Sequence, residues 1–240
     1  MKRTFNLHRD RWADRAARIS LLAAASLLCV SASRAHEVPF PDRMDFVPPA
    51  AGTYKLQRIM AAPRGKVLDI DGKEHEFSSY STGKVTLLSF IYTHCADAKG
   101  CPLAYAVFRS VKKSIENIPG MQEKVRFVSL SFDPQNDTPD VMRTYGGDDA
   151  RNRQGLRWYF LTTRSPKELI PLLDGLGQDV SVAIVRPAGQ RLPVLSHMLK
   201  VFLIDTHGEV REIYTSSFLL PDVLVNDIRT LLMENTVRAQ

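Results

Sequence analysis

A strand-length apolar run, Val85–Tyr92 (VTLLSFIY), leads through Thr93-His94 into Cys95-Ala96-Asp97-Ala98-Lys99-Gly100-Cys101-Pro102. A helical pattern follows at once. A run of this kind reads as a central strand buried on both faces, so helices must cover both sides of its sheet. That constraint places the chain among α/β folds and sets two thiols on a strand-to-helix turn. Ser196-His197, about a hundred positions downstream, precedes another apolar run. Two thiols and a distant histidine suit two chemistries: holding one soft metal ion, or exchanging a disulfide.

The rest of the pattern extends this reading. Val67–Ile70 and Glu74–Phe77 flank Asp71-Gly72, a hairpin signal. Pro102–Ile118 predicts a helix, with Leu103, Val107, Val111, Ile115 and Ile118 on one face and Pro119-Gly120 as its stop. Val125–Ser131 is the next strand, and a short helix is expected around Asp140–Tyr145 before a polar loop, Gly146–Gly155. Arg157–Leu161 is a strand, and Ser165-Pro166 starts a helix through Leu173. Leu199–Ile204 and Val210–Tyr214 pair around an Asp205–Gly208 turn, and Pro221–Asn235 is a final helix. Strand–helix–strand–helix, then a hairpin and a helix, is a thioredoxin-like order: a central mixed β-sheet with helices on both faces.

Residues 1–35 read as a signal peptide. Lys2, Arg3, Arg9 and Arg11 begin a basic region, Ile19–Val30 is an apolar stretch of twelve residues, and Ser33-Arg34-Ala35 offers small residues at a cleavage site. Twelve apolar residues are short for a bilayer span, which needs about 20, yet an uncleaved leader would tether the chain to a membrane. The leader holds seven basic and two acidic residues, so 32 less seven leaves 25 basic and 26 less two leaves 24 acidic, a net charge of +1. Most of the formal +6 therefore belongs to the leader, and no basic stripe argues for nucleic acid. Residues 36–65, with Pro39, Pro41, Pro48, Pro49 and Pro63, read as a Pro/Ala-rich linker, and 66–240 as one domain.

Cys29 fits the apolar stretch of the leader, which leaves Cys95 and Cys101 in the mature chain. A domain of this size buries enough apolar surface without a staple, and so short a loop gains little from closure. Chemistry explains the pair better than structure does. Pro102 suits the start of a helix, where free N–H groups and the helix dipole favour a thiolate at Cys101. Two thiolates and one imidazole suit copper(I) in a three-coordinate site, whereas zinc wants a fourth ligand, for which His94 and Asp133 are the candidates. His197 is expected on a loop before Leu199–Ile204. His75 and His207 read as solvent-facing.

Four stretches resemble the Sco/SenC family: Phe90-Ile91-Tyr92-Thr93-His94-Cys95 with Cys101-Pro102; Ser129–Pro139 (SLSFDPQNDTP); Leu161-Thr162 with Ser165-Pro166; and Ser196-His197 followed by Val201–Gly208 (VFLIDTHG). The resemblance covers about Val67–Asn235. It implies a thioredoxin-like fold outside the cytoplasm, in the periplasm or on the outer face of the inner membrane. It implies copper bound by Cys95, Cys101 and His197, and a metallochaperone that serves cytochrome c oxidase or another respiratory copper enzyme, together with its assembly factors. Asp133 matches an acidic position near the site. The sequence departs from the family in two places: five residues rather than three separate the cysteines, and Ser196 stands where aspartate is common. The alternative is a thiol–disulfide oxidoreductase that uses only Cys95 and Cys101, with a periplasmic thiol reductant to restore them.

Overall fold

A computed structural model describes residues 46–185 and 192–238; the leader and the first part of the linker lie outside the described residues. The centre is a six-stranded sheet in the order β1-β10-β9-β4-β5-β6, from β1 (Met60–Ala61), β4 (Val85–Ile91), β5 (Val125–Ser131), β6 (Arg157–Leu161), β9 (Lys200–Ile204) and β10 (Glu209–Thr215). β4, β5 and β6 run parallel, while β9 is antiparallel to β4 and β10 to β9. The sheet is mixed, as expected. Every residue of β4 and of β5 is buried, which is why both read as apolar runs rather than alternating ones.

One face carries α2 (Cys101–Glu116), α3 (Pro139–Arg151) and α5 (Pro221–Arg238). Aromatic rings fill the gap beneath them. Tyr105 of α2 lies 4.8 Å from Trp158, and Phe108 lies 5.1 Å from Phe127. Trp158 satisfies its indole N–H by donating to Ser129 Oγ at 3.0 Å. Lys112 of α2 pairs with Asp149 of α3 at 2.7 Å. On the opposite face Tyr80, from the short α1 (Ser78–Ser81), meets Tyr159 with ring centres 5.0 Å apart. Buried Arg126 points to that side too. It donates to Thr86 Oγ1 at 3.0 Å and to the carbonyls of Ser79 and Thr82, which the end of α1 leaves unpaired. The predicted hairpin is β2 (Lys66–Leu68) with β3 (Glu74–Glu76); α4 (Pro166–Gly175) packs on β2, which bridges to Thr162.

The structure differs from the sequence reading in four places. Met60–Ala61, inside the stretch read as linker, adds β1 to the sheet edge, where Met60 pairs with Val210. The segment read as a polar loop after Tyr145 continues α3 to Arg151, across a kink at Gly147 with φ +52°. A hairpin of β7 (Val180–Val185) and β8 (Leu192–His197) stands outside the main sheet. His75 is not turned to solvent: its Nε2 lies 2.8 Å from Asp69 Oδ2.

At the base of α5, buried Asp227 accepts hydrogen bonds from the Tyr54 hydroxyl and, at 2.7 Å, from the Tyr214 hydroxyl. Burial raises the Asp227 carboxyl above its ordinary range, against the opposing pull of the two hydroxyls. The folded chain therefore keeps this proton to higher pH than the unfolded chain does. A raised carboxyl of this kind withdraws stability as pH rises from the unfolded value through the folded one. The stability of wild type relative to Asp227→Asn is expected to fall as pH rises above about 4, the ordinary aspartate value. Urea unfolding of both proteins at each pH measures this; a constant difference would show that the carboxylate is not destabilised by burial.

Candidate metal centre

Three elements converge at the C-terminal end of β4. After Tyr92 the chain turns, and the Cys95 N–H donates to the Tyr92 carbonyl at 3.2 Å. Five residues later α2 begins with Gly100 at its N-cap, Cys101 in the first turn and Pro102 after it. Proline is tolerated there because the first N–H groups of a helix have no partner within it. His197 arrives as the last residue of β8, opposite Val180, not from a loop as expected. A hairpin holds the histidine backbone in register more firmly than a loop would.

One donor atom each from Cys95, Cys101 and His197 lies within 4.8 Å of the others. Cys101 Sγ stands 3.9 Å from His197 Nε2. Thiolate and imidazole bonds to a metal such as zinc are about 2.0–2.3 Å, so donors around one ion stand roughly 4 Å apart. The three side chains thus fit a single ion with a small closure. Among the described residues no fourth histidine, cysteine or carboxylate joins them. That donor set suits copper(I) better than tetrahedral zinc. His94 is exposed, its Nδ1 3.2 Å from Thr93 Oγ1, and stands outside the cluster. Asp133 also stands outside it. Its carboxylate accepts from Asn136 Nδ2 at 2.8 Å, and its carbonyl accepts from the N–H groups of Asn136 and Asp137, so it shapes a turn.

The two sulfurs differ in surroundings. Both are free thiols; Cys101 is 1% exposed and Cys95 is half-buried. A hydrogen bond from the Cys101 thiol brings the Cys95 thiol down to about 4; burial opposes this, and His197 adds to it. Cys101 is pushed up by that same bond and by burial. The helix start was expected to favour a thiolate at Cys101. Instead the buried partner keeps its proton and shares it with the more exposed one.

Sequence reasoning missed three supports. Tyr92 and Phe132 pack against the imidazole, with ring centres 6.2 and 4.5 Å from it. Asp137, 0% exposed, accepts from Thr93 Oγ1 at 2.5 Å, Thr93 N at 3.2 Å and Ser131 Oγ at 2.5 Å. It ties the turn before α3 to the chain two residues ahead of Cys95. Burial pushes the Asp137 carboxyl up while these donors pull it down. Polar residues flanking an apolar run, Thr93 and Ser131, were the available signal. His197 Nδ1 is buried and has no hydrogen-bond partner among the described residues, so the aromatic rings fix its orientation.

Residues 66–233 match the family model described as SCO1/SenC. The SCO1 protein homolog of Bacillus subtilis (strain 168) is 26% identical over 163 residues, covering 67% of this chain and 77% of that protein. Bradyrhizobium japonicum ScoI, solved with copper bound, aligns with a TM-score of 0.57 at 22% identity, covering 72% of this chain and 99% of that one. BsSco, described with a disulfide switch as a member of the Sco family of cytochrome c oxidase assembly proteins, aligns with a TM-score of 0.54 at 24% identity, covering 74% of this chain and 98% of that one. The α/β sheet described above is thus the thioredoxin-like fold of these structures.

Proposed function

Since the chain belongs to the SCO1/SenC family, we propose that it binds one copper ion through Cys95, Cys101 and His197 and delivers it to a respiratory copper enzyme. The client we favour is cytochrome c oxidase during assembly of its copper centre, on the periplasmic side of the inner membrane. One observation carries the reading: two sulfurs and an imidazole nitrogen, drawn from a turn, a helix start and a hairpin, lie within 4.8 Å of one another. Copper is cargo here. Soft thiolates favour copper(I), and a three-donor set leaves room for an incoming ligand from a client. The leader at 1–35 supports export. Among the described residues no helix is long and apolar enough to cross a membrane; an uncleaved leader would supply a tether.

The unequal thiols favour a second reading, a thiol–disulfide oxidoreductase. Cys95, the more exposed and more acidic sulfur, attacks a client disulfide and releases one client thiolate. Cys101 then gives up its proton and attacks Cys95, releasing the second. The client gains two electrons, the chain is left with a Cys95–Cys101 disulfide, and a thiol reductant restores it. In that oxidised form neither sulfur is a thiolate, so redox state would gate copper loading.

His197→Ala separates the readings. Copper affinity of the reduced protein is expected to drop by more than the roughly 10–100-fold that loss of an outer-shell partner brings, while disulfide exchange persists. Titration with copper(I) against a chromophoric chelator measures the first, and exchange with glutathione the second. A wild-type chain that takes up no copper with both thiols reduced would refute the copper reading and leave the exchange reading standing.

A further inference from the structure

The five residues between the cysteines need a device of their own. Fully extended, the six Cα steps from Cys95 to Cys101 would span about 20 Å, yet their sulfurs belong to one cluster within 4.8 Å. Asp97 folds the spacer. Its Oδ1 accepts from the Lys99 N–H at 3.0 Å, and its carbonyl accepts from the Gly100 N–H at 2.9 Å. That same carbonyl stands 4.0 Å from Cys95 Sγ. Gly100 closes the turn on its inner side. It is buried, and a Cβ there would lie 3.2 Å from Cys95 Sγ and 3.3 Å from the Asp97 carbonyl oxygen. Both contacts are tight, so any side chain must displace either the sulfur or the carbonyl that holds the turn.

We propose that Asp97 and Gly100 are positioning residues of the metal centre, which fold the long spacer so that the Cys95 sulfur is held against Cys101 and His197. Asp97 supplies the turn. Gly100 lets the turn pack on the sulfur without intervening atoms. The two act through Cys95 and touch no metal. In its copper arm this inference rests on the copper-binding reading; in its thiol arm it does not.

The test compares the reduced full chain with Gly100→Val, Gly100→Ala, Asp97→Ala and Asp97→Asn. One readout is copper(I) affinity by competition with a chelator. The second is free of metal: the equilibrium in which Cys95 and Cys101 give two electrons and two protons to one oxidised glutathione, forming their disulfide and two reduced glutathione molecules. Gly100→Val and Asp97→Ala are expected to weaken copper binding and disulfide formation, each by roughly tenfold, the scale of a lost outer-shell partner, with Gly100→Ala smaller. Asp97→Asn, which keeps a side-chain oxygen for Lys99, is expected to match wild type. Thermal unfolding of the Asp97 variants should hardly move, because Asp97 is exposed. If both readouts are unchanged in Gly100→Val and Asp97→Ala, the proposal fails. If wild type binds no copper, the copper reading fails on its own, and the glutathione equilibrium alone decides the roles of Asp97 and Gly100. Should Gly100→Val not fold, exposed Asp97→Ala decides in its place.

Discussion

Replacing Cys101 by serine is expected to abolish copper loading and disulfide formation together, while the protein stays folded. The sulfur lies 1% exposed in the first turn of α2 and 3.9 Å from His197 Nε2. Without it a copper(I) ion keeps one thiolate and one imidazole, and a serine hydroxyl is a hard donor that does not substitute. A buried hydroxyl with imperfect partners costs about 1–3 kcal/mol, which a domain of this size tolerates. Serine and alanine should then differ at the other thiol. Cys95 is brought down to about 4 chiefly by the proton that Cys101 shares with it. A serine hydroxyl can donate in the same place; alanine cannot. Alkylation of Cys95 by iodoacetamide should therefore reach half its maximal rate at higher pH in Cys101→Ala than in Cys101→Ser. Copper retained after gel filtration and the pH profile of alkylation measure the two effects. Stoichiometric copper at wild-type affinity in Cys101→Ser would place the site elsewhere.

Much of this was written in the chain because its signals are local. The runs Val125–Ser131 and Arg157–Leu161 are β5 and β6 with the bounds expected, and Val85–Tyr92 is β4 but for its last residue. They are legible because strands of a sheet covered on both faces read as largely apolar runs rather than alternating ones. The helix after Cys101 announced itself through proline at its start and Pro119-Gly120 beyond its end. What stayed hidden depends on tertiary pairing. β1 is two residues long, and Met60 is a strand only because Val210 lies beside it. β8 contains Pro193 opposite Ile184, and a proline in a short run argues against a strand when no partner is known. Missing β8 put His197 on a loop rather than on a hairpin end. The extension of α3 through Gly146-Gly147 defied local propensity for the same reason: Gly146 packs where a Cβ would lie 2.7 Å from the Phe160 ring. At the candidate metal centre the three residues brought together were legible, whereas the acidity of the two thiols was not. Helix position alone favours Cys101, and only the hydrogen bond to Cys95 and the depth of burial show why the proton stays there.

Arg211→Leu is expected to destabilise the domain more than any surface change, by about 3–5 kcal/mol. The guanidinium is 6% exposed on β10. Nη1 donates to Asp205 Oδ2 at 2.9 Å and Nη2 to Glu234 Oε2 at 2.9 Å. Nη2 also reaches the Leu56 carbonyl, and Nε reaches the Gln57 carbonyl at 3.3 Å. Burial works against the charge, yet the bonds to Glu234 and Asp205 outweigh it and hold the arginine above its ordinary range. One side chain thus clasps three parts of the chain: the turn before β10, the last turns of α5, and the segment that enters the sheet at β1. Leucine would leave the Asp205 carboxylate, 1% exposed, with the His207 and Glu209 N–H groups as its partners among the described residues. A buried charge stripped of its counterion accounts for most of the loss, so Arg211→Leu combined with Asp205→Asn should recover part of it. Urea unfolding of the two single variants and the double variant measures that coupling. Copper affinity supplies the contrast. Thr215 pairs with Lys200 at the end of the sheet that carries the cysteines, while Val210 pairs with Met60 at the other. Well below its unfolding temperature, Arg211→Leu should therefore bind copper as wild type does. A loss under about 1 kcal/mol, the scale of an exposed ion pair, would show that residues 52–58 are held to the domain by something other than this arginine.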